Sequence, residues 1–429
     1  MKTVYYDKDI NRVPIKSWTT NIEDAALDQA TNVSRLPFVY KHVALMPDCH
    51  CGYGVPIGSV MAAKGVVVPN AVGVDIGCGM SALKTPYKRD NFSIENFKEI
   101  SKRIREVIPM GKNNHQKPQE LSEFEDIFEA INHGKIEVFN TEKARYSFST
   151  LGGGNHFIEL QTDFEDSLWI MIHSGSRRVG FEVAKHYNEI AKNENKTWFS
   201  SVDESLDLAF LPEMSRHYSK YLEEMDLCVE FAKANRRGML NRVCRVLDSI
   251  GKKHTSTYRA IDIAHNYARY EKHYGEIVMV HRKGATLATK NTIGIIPGSQ
   301  GTASYIVRGK GNPDSFCSCS HGAGRIMSRT KAKQTFDFEI EKKRMDEMGI
   351  IHNMDCIDDL DECASAYKNI DEVMRNQADL VEVVYKLTPV VAIKAKNDIR
   401  QKKNNKNYLE KDYNNEQQDD NDRGCSLSF

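Results

Sequence analysis

Apolar positions recur at two periods along this chain, and the two kinds of segment alternate without a fixed order. Over residues 92–107 (FSIENFKEISKRIREV), Phe92, Ile94, Phe97, Ile100, Ile104 and Val107 fall at the spacing of one helix face. Apolar runs at 168–173 (LWIMIH) and 276–281 (EIVMVH) read as short strands, the first running straight into a glycine loop. The block 203–250 predicts helix, with Leu206, Leu208, Ala209, Tyr218, Tyr221 and Met225 among its core candidates. Residues 369–387 predict a further helix and 389–394 (PVVAIK) a closing strand. This irregular mixture lacks the βα repeat of a doubly wound sheet, so the expected fold class is α+β.

From Ala395 the pattern stops. Residues 395–429 are rich in Asn, Asp, Lys and Gln and almost free of apolar side chains, too polar to bury the surface that ordering requires. The chain is therefore expected to divide into one folded body, 1–394, and a disordered tail, 395–429. The 59 Lys+Arg balance 59 Asp+Glu, which excludes a histone-like or basic-tail protein but not a local basic patch. No secretory leader or membrane-length apolar stretch is visible, so a cytoplasmic protein with no membrane partner is expected, its ten cysteines mostly free thiols. Cys49/Cys51 and Cys317/Cys319 are spaced too closely for the usual zinc knuckle.

Glycine clusters at 52–58, 73–79, 152–154, 175–180, 294–301 and 309–324, each time beside ionisable residues. Such pairing suggests several loops converging on one site, because glycine lets backbone approach a ligand closely. Asp75 and Cys78 (GVDIGCGM), His156 (LGGGNHFIE), His173 (LWIMIH) and His265 (IAHNY) are transition-metal ligand types. Singly, each reads as well as a satisfied core residue. Ligand type alone favours zinc or iron over manganese.

HSGSRRVG (173–180) combines hydroxyls, glycine amides and guanidinium groups suited to a phosphate, and RKGAT (282–286) and IIPGSQGTASYIVRG (295–309) add Lys283 and Ser299. The last could equally be a hairpin turn. No GxxxxGK[ST] motif is present, which disfavours a P-loop NTPase. In CSCSHGAGRIMSRTKAK (317–333), Ser320 reads as an N-cap for a helix through 323–327, placing His321, Arg325 and Arg329 on one face. A histidine with two arginines at a helix N-terminus suits a side chain that becomes bonded to phosphorus; the alternative is a solvated basic helix.

At these residues the sequence resembles the RtcB family of GTP-dependent RNA-splicing ligases. The matching blocks include MPDCHCGYGVPIGSV, VGVDIGCGM, LGGGNHFIEL, MIHSGSRR, AHNY, RKGA, IIPGSQG, FCSCSHGAGRIMSR and AYKNIDEVM, in order from about residue 14 to Lys394. The resemblance implies a compact α+β fold peculiar to the family and two Mn²⁺ ions, bridged by Cys78 and held by Asp75, His156, His173 and His265. It implies that His321 attacks GTP to form a histidine–GMP adduct. The guanylyl group would then pass to an RNA 3′-phosphate, and a 5′-hydroxyl end would displace GMP; 2′,3′-cyclic phosphates would be opened first. Asn155, Phe157, Glu159, Ser299, Tyr367 and Lys394 would bind GTP, Glu159 and Lys394 at guanine, while Arg177, Lys283, Arg325 and Arg329 would contact phosphate or RNA. The implied partners are RNA ends from tRNA splicing or RNA repair, with room for an activating helper protein. Three departures stand out: Arg178 in place of a small residue, Gln300 where methionine is common, and the tail beyond Lys394. The rival readings are an RNA-end-binding paralogue, or a metal-dependent phosphodiesterase that opens cyclic phosphates without ligating.

Overall fold

The computed structural model describes residues 1–120 and 137–396. Two sheets dominate. The first runs in the order Thr3–Tyr5, Ile15–Ser17, Val39–His50, Ile57–Ala63, Glu276–Lys283, Asn266–His273. The second runs Ile261–Ala264, Gly79–Lys88, Ser167–Ser174, Phe157–Thr162, Val381–Ile393, Ser304–Gly309, Ile293–Ile296, with Ile351–His352 added in parallel to Val381–Ile393. Helices pack against the sheets without a regular βα alternation, the α+β class expected. Among the described residues no helix is long and apolar enough to cross a membrane.

Strand alternation decides what each face of the second sheet meets. Ile158, Leu160, Ile170 and Ile172 point to the helices Ile94–Val107 and Arg216–Gly251, whose Ile100, Ile104, Leu240 and Val243 complete a solvent-free cluster. Each such fully buried aliphatic side chain contributes about 1.5–3 kcal/mol. Phe157, Trp169 and Met171 face the other way, into a cluster with Ile295 and Ile306. The helix 94–107 begins after Ser93, whose hydroxyl accepts from the Asn96 amide. Its two end residues, Ile94 and Val107, face solvent rather than the core.

Three expectations need correction. Residues 203–250 are not helical throughout: a short turn at Glu204–Leu206 and the strand Leu211–Pro212 precede a helix that starts at Arg216, capped by Ser215. Leu208 and Ala209 are buried all the same, so apolarity located the core but not the element. Residues 369–387 form only a seven-residue helix, Ile370–Asn376, because the β-branched VEVVY run that follows joins the long strand Val381–Ile393. Finally, no helix covers 323–327: Ser318–Ser320 is a strand, and the next helix starts at Arg329 with Ser328 as its cap. The tail lies outside the described residues apart from Ala395 and Lys396.

One residue joins edge strands of the two sheets along the chain. His265 separates Ile261–Ala264, an edge of the second sheet, from Asn266–His273, an edge of the first. Cys78, His156 and His173 lie at the same end of neighbouring strands in the second sheet, where Gly79 pairs with Ser174 and Phe157 with His173. Asp48 and Lys283 arrive at strand ends of the first sheet.

Candidate active site

The five candidate metal ligands converge. Cys78, His173 and His265 form one group and Asp75, Cys78 and His156 another, the ligand atoms within each lying within 4.8 Å of one another. Cys78 belongs to both. Its Sγ is 3.4 Å from His156 Nε2 and 3.3 Å from His173 Nε2, and His156 Nε2 is 3.1 Å from Asp75 Oδ2. The Nδ1 atoms of His156 and His265 are buried without a hydrogen-bond partner among the described residues. His173 Nδ1 faces the Asn155 carbonyl at 3.1 Å, which fixes the ring so that Nε2 points at the thiol.

Electrostatics favour a cation here. Burial and the neighbouring Asp75 push the Cys78 thiol well up, so its thiolate needs a compensating charge close by. Burial, then the charges of neighbouring histidines, pushes His173 and His265 well down, leaving neutral imidazoles with lone pairs to donate. For Asp75, burial acts upward but the His156 contact outweighs it and holds the carboxyl below its ordinary range. A desolvated thiol, three imidazoles and a carboxylate in two overlapping sets are donor types that suit a transition-metal cation. The glycines leave the room: a Cβ at Gly175 would sit 2.2 Å from Asp75 Oδ1, and one at Gly152 1.9 Å from Arg177 Nη1.

His321 sits beside this cluster, its ring centroid 4.8 Å from that of His265. It is oriented by Asp48, a residue sequence reasoning missed. Asp48 Oδ2 lies 2.7 Å from His321 Nδ1 and accepts from the amides of His321 at 3.0 Å and Gly322 at 3.2 Å. Asp48 is fully buried, yet the charge and hydrogen bond of His321 overcome burial and keep it below the ordinary carboxylate range. The same contacts explain the missing helix: the amides that would open it are spent on a carboxylate 273 residues earlier, and Gly324 takes a φ of +75° beneath the Asp48 carbonyl.

Arg325 and Arg329 therefore do not share a helix face with His321; they gather around Glu362, also unforeseen. Arg329 Nε is 2.7 Å, Arg325 Nη1 3.3 Å and Lys394 Nζ 3.5 Å from this buried carboxylate, and the Tyr367 hydroxyl donates to it. Arg325 also lies over the Tyr367 ring, 5.0 Å from its centroid. Burial acts upward on Glu362, but Lys394, Arg329 and Arg325 outweigh it and keep it ionised.

Glu159 lies on the inner face of the strand Phe157–Thr162, 4% exposed, with Gln161 Nε2 donating to it at 2.5 Å. Burial raises it to about 7, against the pull of Gln161 and Lys394. Gln300 is buried and reaches the Glu362 carbonyl at 3.1 Å, lining a cleft with Gly154 and Lys394. Phe157 packs inward against the His173 ring. Arg177, in a left-handed conformation at φ +61°, reaches Thr150 Oγ1 and the Gly111 carbonyl. Lys283 is buried, donates to the Tyr53 carbonyl at 2.5 Å and is lowered by burial to about 7, while a Cβ at its neighbour Gly284 would lie 3.0 Å from His321 Cε1. Ser299 stands apart, in a turn with Thr302 that lines a second cleft beside Tyr367. Arg178 points away and pairs with Glu182 at 3.0 Å.

Comparison with known proteins defines the class as RNA ligase. The family described as tRNA-splicing ligase RtcB matches residues 29–395. The RNA-splicing ligase RtcB of Escherichia coli (strain K12) is 40% identical over 405 residues, covering 89% of this chain and 97% of the relative. A tRNA-splicing ligase RtcB of Nanoarchaeum equitans is 33% identical, covering 87% and 92%, and RNA-splicing ligase RtcB homolog 1 of Entamoeba dispar is 30% identical, covering 87% and 83%. This chain belongs to the RtcB family of RNA ligases.

Proposed function

We propose that the protein is a GTP- and Mn²⁺-dependent ligase that joins RNA 3′-phosphate or 2′,3′-cyclic phosphate ends to 5′-hydroxyl ends, within a body spanning 1–394 in the cytoplasm. The observation that carries this reading is the carboxylate-oriented His321 next to two overlapping ligand sets. The described cysteines are all free, in keeping with a reducing compartment.

With Nδ1 held by Asp48, His321 presents the Nε2 lone pair to the α-phosphorus of GTP. A P–N bond forms as pyrophosphate leaves, and the positive charge gained by the ring is balanced by Asp48. Asp75, Cys78, His156, His173 and His265 would hold the two divalent ions, which would supply Lewis-acid stabilisation of the phosphate oxygens. An RNA 3′-phosphate oxygen then displaces neutral His321, and the 5′-hydroxyl, losing its proton, forms the new phosphodiester as GMP leaves. Glu159 accepts guanine N1–H and N2–H, and Lys394 donates to O6; adenine offers neither match. Asn155, Phe157, Ser299 and Tyr367 complete the nucleotide site, and Arg177, Lys283, Arg325 and Arg329 serve phosphate and RNA.

The test is joining of an RNA bearing a 3′-phosphate to one bearing a 5′-hydroxyl. Ligation should require Mn²⁺ and GTP, and ATP should not replace GTP. Opening of a cyclic phosphate without joining, or joining without GTP, contradicts the proposal.

A further inference from the structure

Two consecutive residues of the long helix Arg216–Gly251 enter none of the chemistry above, yet both are polar and fully buried: Asn235 and Arg236. Asn235 accepts from the Thr150 amide at 3.0 Å and donates to the Thr150 carbonyl at 3.1 Å, to Ser174 Oγ at 3.2 Å and to the Gly175 carbonyl at 3.2 Å. Arg236 Nη1 donates to the carbonyls of Gly77 at 3.0 Å and Ser174 at 2.9 Å, while Nε and Nη2 grip both oxygens of Asp262 at 2.9 and 2.6 Å.

Each partner adjoins a segment that carries a candidate ligand. Gly77 precedes Cys78, Ser174 follows His173, Thr150 leads into the glycine loop ending at His156, and Asp262 shares the strand Ile261–Ala264 that delivers His265. One guanidinium nitrogen thus holds the neighbours of Cys78 and His173 together, and the same guanidinium ties both to the His265 strand. Burying an arginine is expensive unless its donors are met, and here four of the five N–H donors are met, by two carbonyls and a bidentate carboxylate. Plain core packing would be served by an apolar side chain here, as Met239 and Leu240 serve one turn, and Val243 two turns, further along the helix.

We propose that Asn235 and Arg236, with Asp262, are positioning residues of the metal centre: they set the spacing of the segments bearing Cys78, His156, His173 and His265, and so the affinity for the ions. This rests on the reading of that cluster as a metal site. Lysine at 236 keeps the charge and most of the stem but cannot bond both carbonyls and both Asp262 oxygens at once.

The test uses the full chain, stripped of metal and titrated with Mn²⁺, then with Co²⁺ to read thiolate-to-metal absorption from Cys78. Arg236→Lys should bind Mn²⁺ roughly 10–100-fold more weakly and shift the Co²⁺–thiolate band, while the metal-free protein melts near the wild-type temperature. Asp262→Asn, which leaves the arginine but removes its carboxylate, should do the same and carries the test if Arg236→Lys does not fold. Wild-type Mn²⁺ affinity and an unchanged band in the folded variants overturn the proposal. A wild-type protein with no thiolate band, or one whose band survives Cys78→Ala, overturns the metal reading instead and the clamp with it.

Discussion

Asp48 Oδ2 lies 2.7 Å from His321 Nδ1 and accepts the His321 and Gly322 amides with the same oxygen, so one carboxylate fixes both the ring and the backbone of the candidate nucleophile. Asp48→Asn keeps the shape but removes the charge that balances an imidazolium. Attachment of GMP to His321, followed in a single turnover with α-labelled GTP, should slow by roughly 10²-fold or more. A wild-type rate in the folded variant would show that Asp48 only packs.

Under the proposed guanine contact, Glu159 ties pH to both stability and nucleotide binding. Its carboxyl is raised from 4.5 to about 7 by burial, so the folded state holds a proton that the unfolded state releases. The stabilising effect is fully present below about pH 4.5 and is lost as pH rises through about 7, a change of about 3 kcal/mol. The melting temperature of nucleotide-free wild type should therefore fall between pH 5 and pH 8 relative to that of Glu159→Gln. GTP binding runs the other way, since guanine N–H groups need the carboxylate: affinity should rise from about pH 6 to 8 in the wild type. In the variant, affinity at pH 8 should be weaker by about 1.5–3 kcal/mol. Equal GTP affinity at pH 8 would remove Glu159 from the base pocket.

Glu362 gathers Arg325, Arg329 and Lys394, and its depressed carboxyl contributes stability above its unfolded value that is lost as pH falls through the folded one. Glu362→Gln would leave three cations without their shared partner. Urea unfolding at pH 7 should show a loss of about 3–5 kcal/mol, and the difference from wild type should shrink on acidification. A pH-independent difference would assign the loss to packing alone.

The helix Ile94–Val107 and the candidate-ligand cluster were legible in the sequence because each had a local signature: apolar periodicity for the helix, and ligand-type side chains on glycine loops for Cys78 and His156. Asp48 and Glu362 had none. An aspartate before Cys49 and a glutamate in an acidic run look like surface residues until the chain brings His321 to one and Arg329 to the other. The helix expected over 323–327 failed for the same reason: Ser320 and the residues after it carry a capping pattern, but the distant Asp48 takes the amides first. At 369–387 helical spacing competed with β-branched content, and pairing with Ser304–Gly309 and Phe157–Thr162 decided for strand beyond residue 381.

The chain end separates Lys394 from the tail. Lys394 reaches Glu362 and is fixed through its amide to Asn353 Oδ1 at 3.0 Å, whereas beyond Ala395 the described chain adds only an exposed ion pair of Lys396 with Asp355. A protein ending after Ala395 should melt as the full chain does and ligate at a near-normal rate, and one ending after Ile393 should lose GMP attachment. Equal behaviour of the two truncations would withdraw Lys394 from the guanine site.

The most direct measurement is a pulse and chase at His321. Protein with Mn²⁺ and α-labelled GTP should acquire an acid-labile, alkali-stable label at His321. The label should then move to added RNA bearing a 3′-phosphate and be released as GMP when a 5′-hydroxyl end is joined. His321→Ala should take up none. Full labelling of His321→Ala, or a wild-type label that RNA ends do not discharge, would contradict ligation through a histidine–GMP adduct.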